Sequence, residues 1–135
     1  MANGTRIKVG FFKNADKFLT FKSGEIIFRE GDAGAEMFVV RSGRVDLKIG
    51  DKVLDTVGEE ETFGEMALID QRPRSASAVA ATDCEIVPVD SKRFLFLVQQ
   101  TPNFALLMLK IMANRLRNMD SYVSGKETIV TENAG

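Results

Sequence analysis

A small β sandwich or barrel with helices at its C-terminal end is the fold class this chain predicts, and three observations carry the prediction. Short β-type runs separated by glycine turns fill the stretch from about residue 17 to 88. Beyond it the apolar period lengthens to three and four residues, the mark of helices. A length of 135 residues suits one domain with a real core and not two.

Taken in order, Phe18-Leu19-Thr20-Phe21 is the first strand, closed by the turn Lys22-Ser23-Gly24. Glu25-Ile26-Ile27-Phe28 is the second, and residues 29–34 form the loop after it. Met37-Phe38-Val39-Val40 is a compact apolar strand that ends at the tight turn Ser42-Gly43. Val45-Asp46-Leu47-Lys48-Ile49 alternates strictly, Gly50-Asp51 turns, and Val53-Leu54-Asp55-Thr56-Val57 returns to Gly58. Residues 77–79 and 85–89 carry the last two strands. A short helix opens at Ser91, with Ser91 or Asp90 as its N-cap, and runs toward Gln100. Thr101 caps a second helix, with Pro102 at its favoured first position, that runs through Met119 or beyond. On it Leu109, Met112, Leu116, Met119 and Val123 form one apolar stripe. Residues 1–123 are read as one domain and 124–135 as a flexible polar tail.

Composition narrows the function classes. Hydrophobic content of 44% and charged content of 27% are ordinary for a soluble globular protein. A net charge of -1 gives no overall field toward nucleic acid or anionic lipid. No apolar run resembles a signal peptide or approaches the roughly 20 residues of a membrane span, so a cytoplasmic protein is the default. Histidine is absent and Cys84 is the only cysteine. That removes the usual general base, the Ser-His and Cys-His nucleophiles, a disulfide and a cysteine–histidine zinc site. The chain is therefore read as a non-enzyme with no metal and no cofactor, and Cys84 as a small buried hydrophobe.

The most informative segment is Phe63-Gly64-Glu65-Met66-Ala67-Leu68-Ile69-Asp70-Gln71-Arg72-Pro73-Arg74-Ser75-Ala76-Ser77. Gly64 permits close backbone approach, and Glu65 to Ile69 suit one helical turn whose first amides can donate to an anion. Arg74 adds a permanent charge and a planar fork able to grip two phosphate oxygens, on an approach stiffened by Pro73. Glu65 would be costly beside a phosphate unless it accepted a sugar hydroxyl, as acidic residues do in dinucleotide sites. A small nucleotide satisfies all of these groups. Alone, an Arg near a Glu in a loop is most often a surface ion pair of little worth. Ser77 is read as a strand residue, Glu30 and Asp32 as turn residues, and Arg72 as solvated.

This segment resembles the phosphate-binding cassette of the cyclic-nucleotide-binding domains. Such domains occur in bacterial catabolite activator proteins, kinase regulatory subunits and cyclic-nucleotide-gated channels. Gly24, the Phe28-Arg29-Glu30-Gly31-Asp32 turn, Ser42-Gly43 and the closing helices extend the resemblance over nearly the whole chain. It implies a double-stranded β-helix, a jelly-roll-like β-roll, with C-terminal helices. It implies that Arg74 binds the cyclic phosphate and that Glu65 accepts the ribose 2′-hydroxyl. The amides of Gly64 and of Ser75 or Ala76 would complete the phosphate cradle, and the Ser75 hydroxyl would add a bond to phosphate or base. Met66 joins this ligand-binding set, and Leu47, Leu54 and Phe63 would surround the base, being core residues under any reading.

The ligand so implied is a purine 3′,5′-cyclic monophosphate. Cyclic AMP is placed ahead of cyclic GMP; Ser75 is compatible with either. The expected function is a regulatory sensor whose C-terminal helices repack over the base and signal to an effector protein or a fused effector domain. With no room after the long helix for a DNA-reading domain, no direct DNA binding and no membrane contact are expected of this chain. The stripe on the last helix has two readings: packing on the β domain, placed first, or the seam of a homodimer. The alternative from another class is a protein-interaction module on the same fold that has lost its ligand.

Overall fold

The computed structural model describes Phe12, residues 15–70 and residues 72–126, the last twelve of these as backbone only. In chain order the elements are β1 (Leu19–Phe21), β2 (Ile26–Phe28), β3 (Glu36–Ser42), β4 (Val45–Ile49), β5 (Lys52–Val57), β6 (Thr62–Phe63), α1 (Met66–Ile69), β7 (Ser77–Ala80), β8 (Cys84–Asp90), α2 (Ser91–Gln100) and α3 (Pro102–Lys126). The strands form two four-stranded antiparallel sheets, ordered β1-β8-β3-β6 and β2-β7-β4-β5. This is the expected β-roll with helices at its C-terminal end.

The first sheet is the middle layer, and its sequence shows why. Along β3, Phe38 and Val40 face the second sheet with Val45, Val57, Phe63, Ala78, Ala80 and Ile86. Met37 and Val39 face the other way, onto Phe12, Val87, Val89, Phe104, Met108 and Ile111. A strand buried on both faces reads as a continuous apolar run, as Met37-Phe38-Val39-Val40 does. Pro88 is tolerated in β8 because β1 pairs with that strand only as far as Ile86. Cys84 is free and buried in the inter-sheet core, where burial, with Asp83 and Glu25 adding, pushes its thiol above the ordinary value.

Asp90 is the α2 N-cap, its carboxylate accepting from the Arg93 amide at 2.8 Å. Thr101 stands just before α3, its carbonyl accepting from the Phe104 amide at 2.8 Å. β6 was not expected; two residues are too short to show alternation. The helix α3 continues to Lys126, three residues into the stretch expected as a polar tail, and the rest of that stretch lies outside the described residues.

Two sequence readings need correction. The face of α3 that packs on the β-roll carries Phe104, Met108 and Ile111, at spacings of four and three. Leu109, at the head of the expected stripe, is 66% exposed. Leu109 does not fit the packing reading because α3 carries apolar residues on more than one face; the side chains of Leu116, Met119 and Val123 lie outside the described residues. Leu54 is not a core residue; it is 52% exposed. A bulge between β4 and β5 pairs Leu47 with Asp55 and Lys48 with Val53, so Leu54 is the extra residue and falls out of the alternation.

Truncating the true packing face should be far more damaging than truncating the stripe. Phe104→Ala should cost about 3–5 kcal/mol in chemical denaturation, and Leu109→Ala at most about 0.5 kcal/mol. The reverse order would mean that α3 packs through its other face.

Candidate functional site

A cleft of about 320 Å³ opens between the second sheet and the α1 turn, lined by Phe28, Leu47, residues 64–67 and 70, and residues 72–76. That volume is at the lower end of small-ligand sites. Of the residues singled out from sequence, Gly64, Glu65, Met66, Arg74, Ser75, Ala76 and Leu47 all line it. Phe63 does not: it is fully buried, its ring stacked on Phe38 with centroids 5.3 Å apart. Leu54, on the exposed bulge, does not line it either.

Gly64 sets up the turn. Its φ of +77° lies in the left-handed region that only glycine enters without strain. The chain then coils into α1, whose first bonds run from the Ala67 amide to the Gly64 carbonyl (3.3 Å) and from the Leu68 amide to the Glu65 carbonyl (3.0 Å).

Arg74 is the centre of the site. Its backbone is tied at both polar groups to the loop between β2 and β3: its amide donates to the Asp32 carbonyl (2.8 Å), and its carbonyl accepts from the Gly31 amide (2.7 Å). Asp32 in turn holds that loop, one carboxylate oxygen accepting from the Arg29 amide at 2.9 Å. Arg74 is only 8% exposed. Nη1 donates to the Gly64 carbonyl (3.3 Å) and Nη2 to the Glu36 carbonyl (2.9 Å). The guanidinium carbon lies 4.3 Å from the centre of the Phe28 ring and 5.5 Å from that of Phe38. Nε is buried and has no hydrogen-bond partner.

Burial lowers the Arg74 pKa, an effect opposed by the fields of Glu36 and Asp32. An arginine nonetheless stays charged at neutral pH. Among the described residues no carboxylate lies within ion-pair distance of it. The result is a fixed, buried cation beside a cleft, with its Nε–H unpartnered. Such a group suits an anion, since an unmet buried donor is costly and a charge-assisted bond is strong.

Glu65 is 2% exposed, and the hydroxyl of Thr62, itself 1% exposed, donates to its Oε2. Ser77 does structural work, as expected: its Oγ accepts from the Glu30 amide at 2.9 Å. Arg72 is 82% exposed in its side chain, 3.3 Å from Asp70.

Sequence reasoning missed Phe28, Gly34, Glu36 and Thr62 as parts of the site. Gly34 carried a signal, being the second glycine of a loop that needs only one for its turn. A Cβ there would lie 2.5 Å from both Nε and Nη2 of Arg74, so the guanidinium rests on bare backbone. Glu36 acts through its carbonyl, which no sequence reports.

With fold and site in view, the comparisons identify the family. Residues 18–101 match the model of the cyclic nucleotide-binding domain, and the chain belongs to that family. It is 37% identical over 105 residues to the cyclic AMP receptor protein of Thermus thermophilus, covering 74% of this chain and 49% of that one. It is 33% identical over 90 residues to a cGMP-dependent protein kinase of Plasmodium berghei, covering 67% of this chain and 10% of the kinase. The crystal structure of the Thermus thermophilus catabolite activator protein superposes with a TM-score of 0.71 at 34% identity, over 79% of this chain and 54% of that one. The chain thus spans about half the length of the bacterial relative and about a tenth of the kinase.

Gly34→Ala should push the Arg74 guanidinium off its seat. The expected outcome is at least a tenfold loss of cyclic-nucleotide affinity, about 1.4 kcal/mol, in a titration of the folded variant. Full affinity in that variant would show that the seat is not needed.

Proposed function

We propose that this domain is a regulatory sensor for a purine 3′,5′-cyclic monophosphate, cyclic AMP ahead of cyclic GMP, that acts on an effector protein or a fused effector domain. The observation that carries the reading is the buried Arg74 guanidinium, which borders the cleft with Nε unpartnered and no carboxylate within ion-pair distance among the described residues. A cyclic phosphate supplies the missing acceptor and the missing charge together. Glu65, on the same cleft wall, receives the ribose 2′-hydroxyl, and the amides around Gly64, Ser75 and Ala76 complete the phosphate cradle. Leu47 and Phe28 offer the apolar surface that a base requires. The names of the relatives include both cyclic nucleotides, and Ser75 is compatible with either.

The signal passes through α1. Leu68, on its only full turn, packs against the cluster built from Phe104, Met108 and Ile111 of α3 and from Met37 and Val39 of β3. Ligand phosphate drawing on the Gly64–Glu65 end of α1 moves Leu68, and α2 and α3 repack in response. The ligand shifts this equilibrium only by its differential affinity for the two arrangements. The reading assigns this chain no catalytic step and no DNA contact, and it places the protein in the cytoplasm. Among the described residues no helix is long and apolar enough to cross a membrane.

Titration calorimetry with cyclic AMP tests the proposal. Arg74→Ala should weaken binding by at least about 2 kcal/mol, the scale of a lost charged hydrogen-bond pair. Glu65→Gln should lose less, and should hardly alter binding of the 2′-deoxy ligand. Hydrogen exchange of the α2 and α3 amides should change on saturation. No heat and no thermal shift at high ligand would instead favour a protein-interaction module without a ligand.

A further inference from the structure

We infer that Thr62 sets the requirement for a ribose 2′-hydroxyl, by holding Glu65 in the orientation that receives it. The inference rests on the cyclic-nucleotide reading above and adds a specificity-determining positioning residue to it.

Thr62-Phe63-Gly64-Glu65 has the spacing of a helix capping box, in which the threonine would cap the first-turn amides and the glutamate would reach back to the threonine amide. The structure does not use the pair that way. The helix begins at Met66, Glu65 is itself the N-cap residue, and no side chain caps the turn. The two side chains meet each other instead, the Thr62 hydroxyl donating to Glu65 Oε2. Both are almost completely buried, and Glu65 lines the cleft.

The hydroxyl is held on rigid backbone. Thr62 pairs with Val39 in the middle sheet, and just before it the Val40 amide and carbonyl bond to Glu61 and Glu60 at 3.0 and 2.6 Å. A buried carboxylate is costly unless hydrogen-bonded, and a threonine has one proton to give. Spending it on Oε2 fixes the rotation of the carboxylate before any ligand arrives. A sugar hydroxyl then meets an acceptor already in place, whereas a ligand without that hydroxyl gains nothing from it.

The test is a titration of the wild type, Thr62→Val and Thr62→Ser with cyclic AMP and 2′-deoxy cyclic AMP. Thr62→Val keeps the shape and removes the proton. It should lose about tenfold in affinity for cyclic AMP, the scale of a hydrogen bond to a charged group, and less than about twofold for the deoxy ligand. Thr62→Ser should restore the wild-type preference. Should Thr62→Val fail to fold, Thr62→Ala is read by the same ratio. An equal loss for both ligands, or no loss for either, overturns the role of Thr62 and leaves the sensor reading standing. A wild type that binds neither ligand overturns the sensor reading, and the role of Thr62 with it.

Discussion

One charged group organises this site: the Arg74 guanidinium, buried with no counter-ion among the described residues. A cation taken out of water needs compensation, and here it comes from the carbonyls of Gly64 and Glu36 and from the face of Phe28. Those groups satisfy part of the fork and leave Nε without a partner. An arrangement of this kind favours binding over stability. An adjacent carboxylate would neutralise the charge at the expense of any incoming anion; Asp32 and Glu36 act on it only as more distant fields.

The surroundings of Arg74 follow from that constraint. A side chain at Gly34 would displace the guanidinium, which occupies that space, and Gly64 takes a positive φ while approaching Nη1. Phe63 stacks on Phe38, and Phe38 lies beneath Arg74, so the inter-sheet core serves as the floor of the site. On the opposite face of the same strand, Met37 and Val39 hold Phe104 and Met108. Leu68 joins that second cluster from α1, so the cleft and the helical layer share one sheet and one short helix.

The site was legible from sequence where its parts are contiguous. Gly64, Glu65, Met66, Arg74, Ser75 and Ala76 fall within thirteen positions, and their chemistry is a matter of one turn and one fork. The strands were legible for a similar reason: glycine turns bounded them, and β4 alternates without a break, the extra residue lying in β5. What escaped was non-local or one residue deep. Phe28, Gly34 and Glu36 reach Arg74 from about forty positions away through a ring face, a missing Cβ and a carbonyl. Leu54 was misplaced because a single extra residue breaks a period of two. On α3, propensity and spacing allowed more than one apolar face, and only the packed partner selects among them.

The direct test of the account is the NMR signal of the Arg74 Nε–H, assigned by its loss in Arg74→Lys and followed while cyclic AMP is added. An unspent donor that becomes a phosphate ligand should shift strongly downfield and exchange more slowly with water, in proportion to site occupancy. An Nε–H signal that stays unmoved at saturating ligand would contradict the assignment of Arg74 as the group that holds the phosphate.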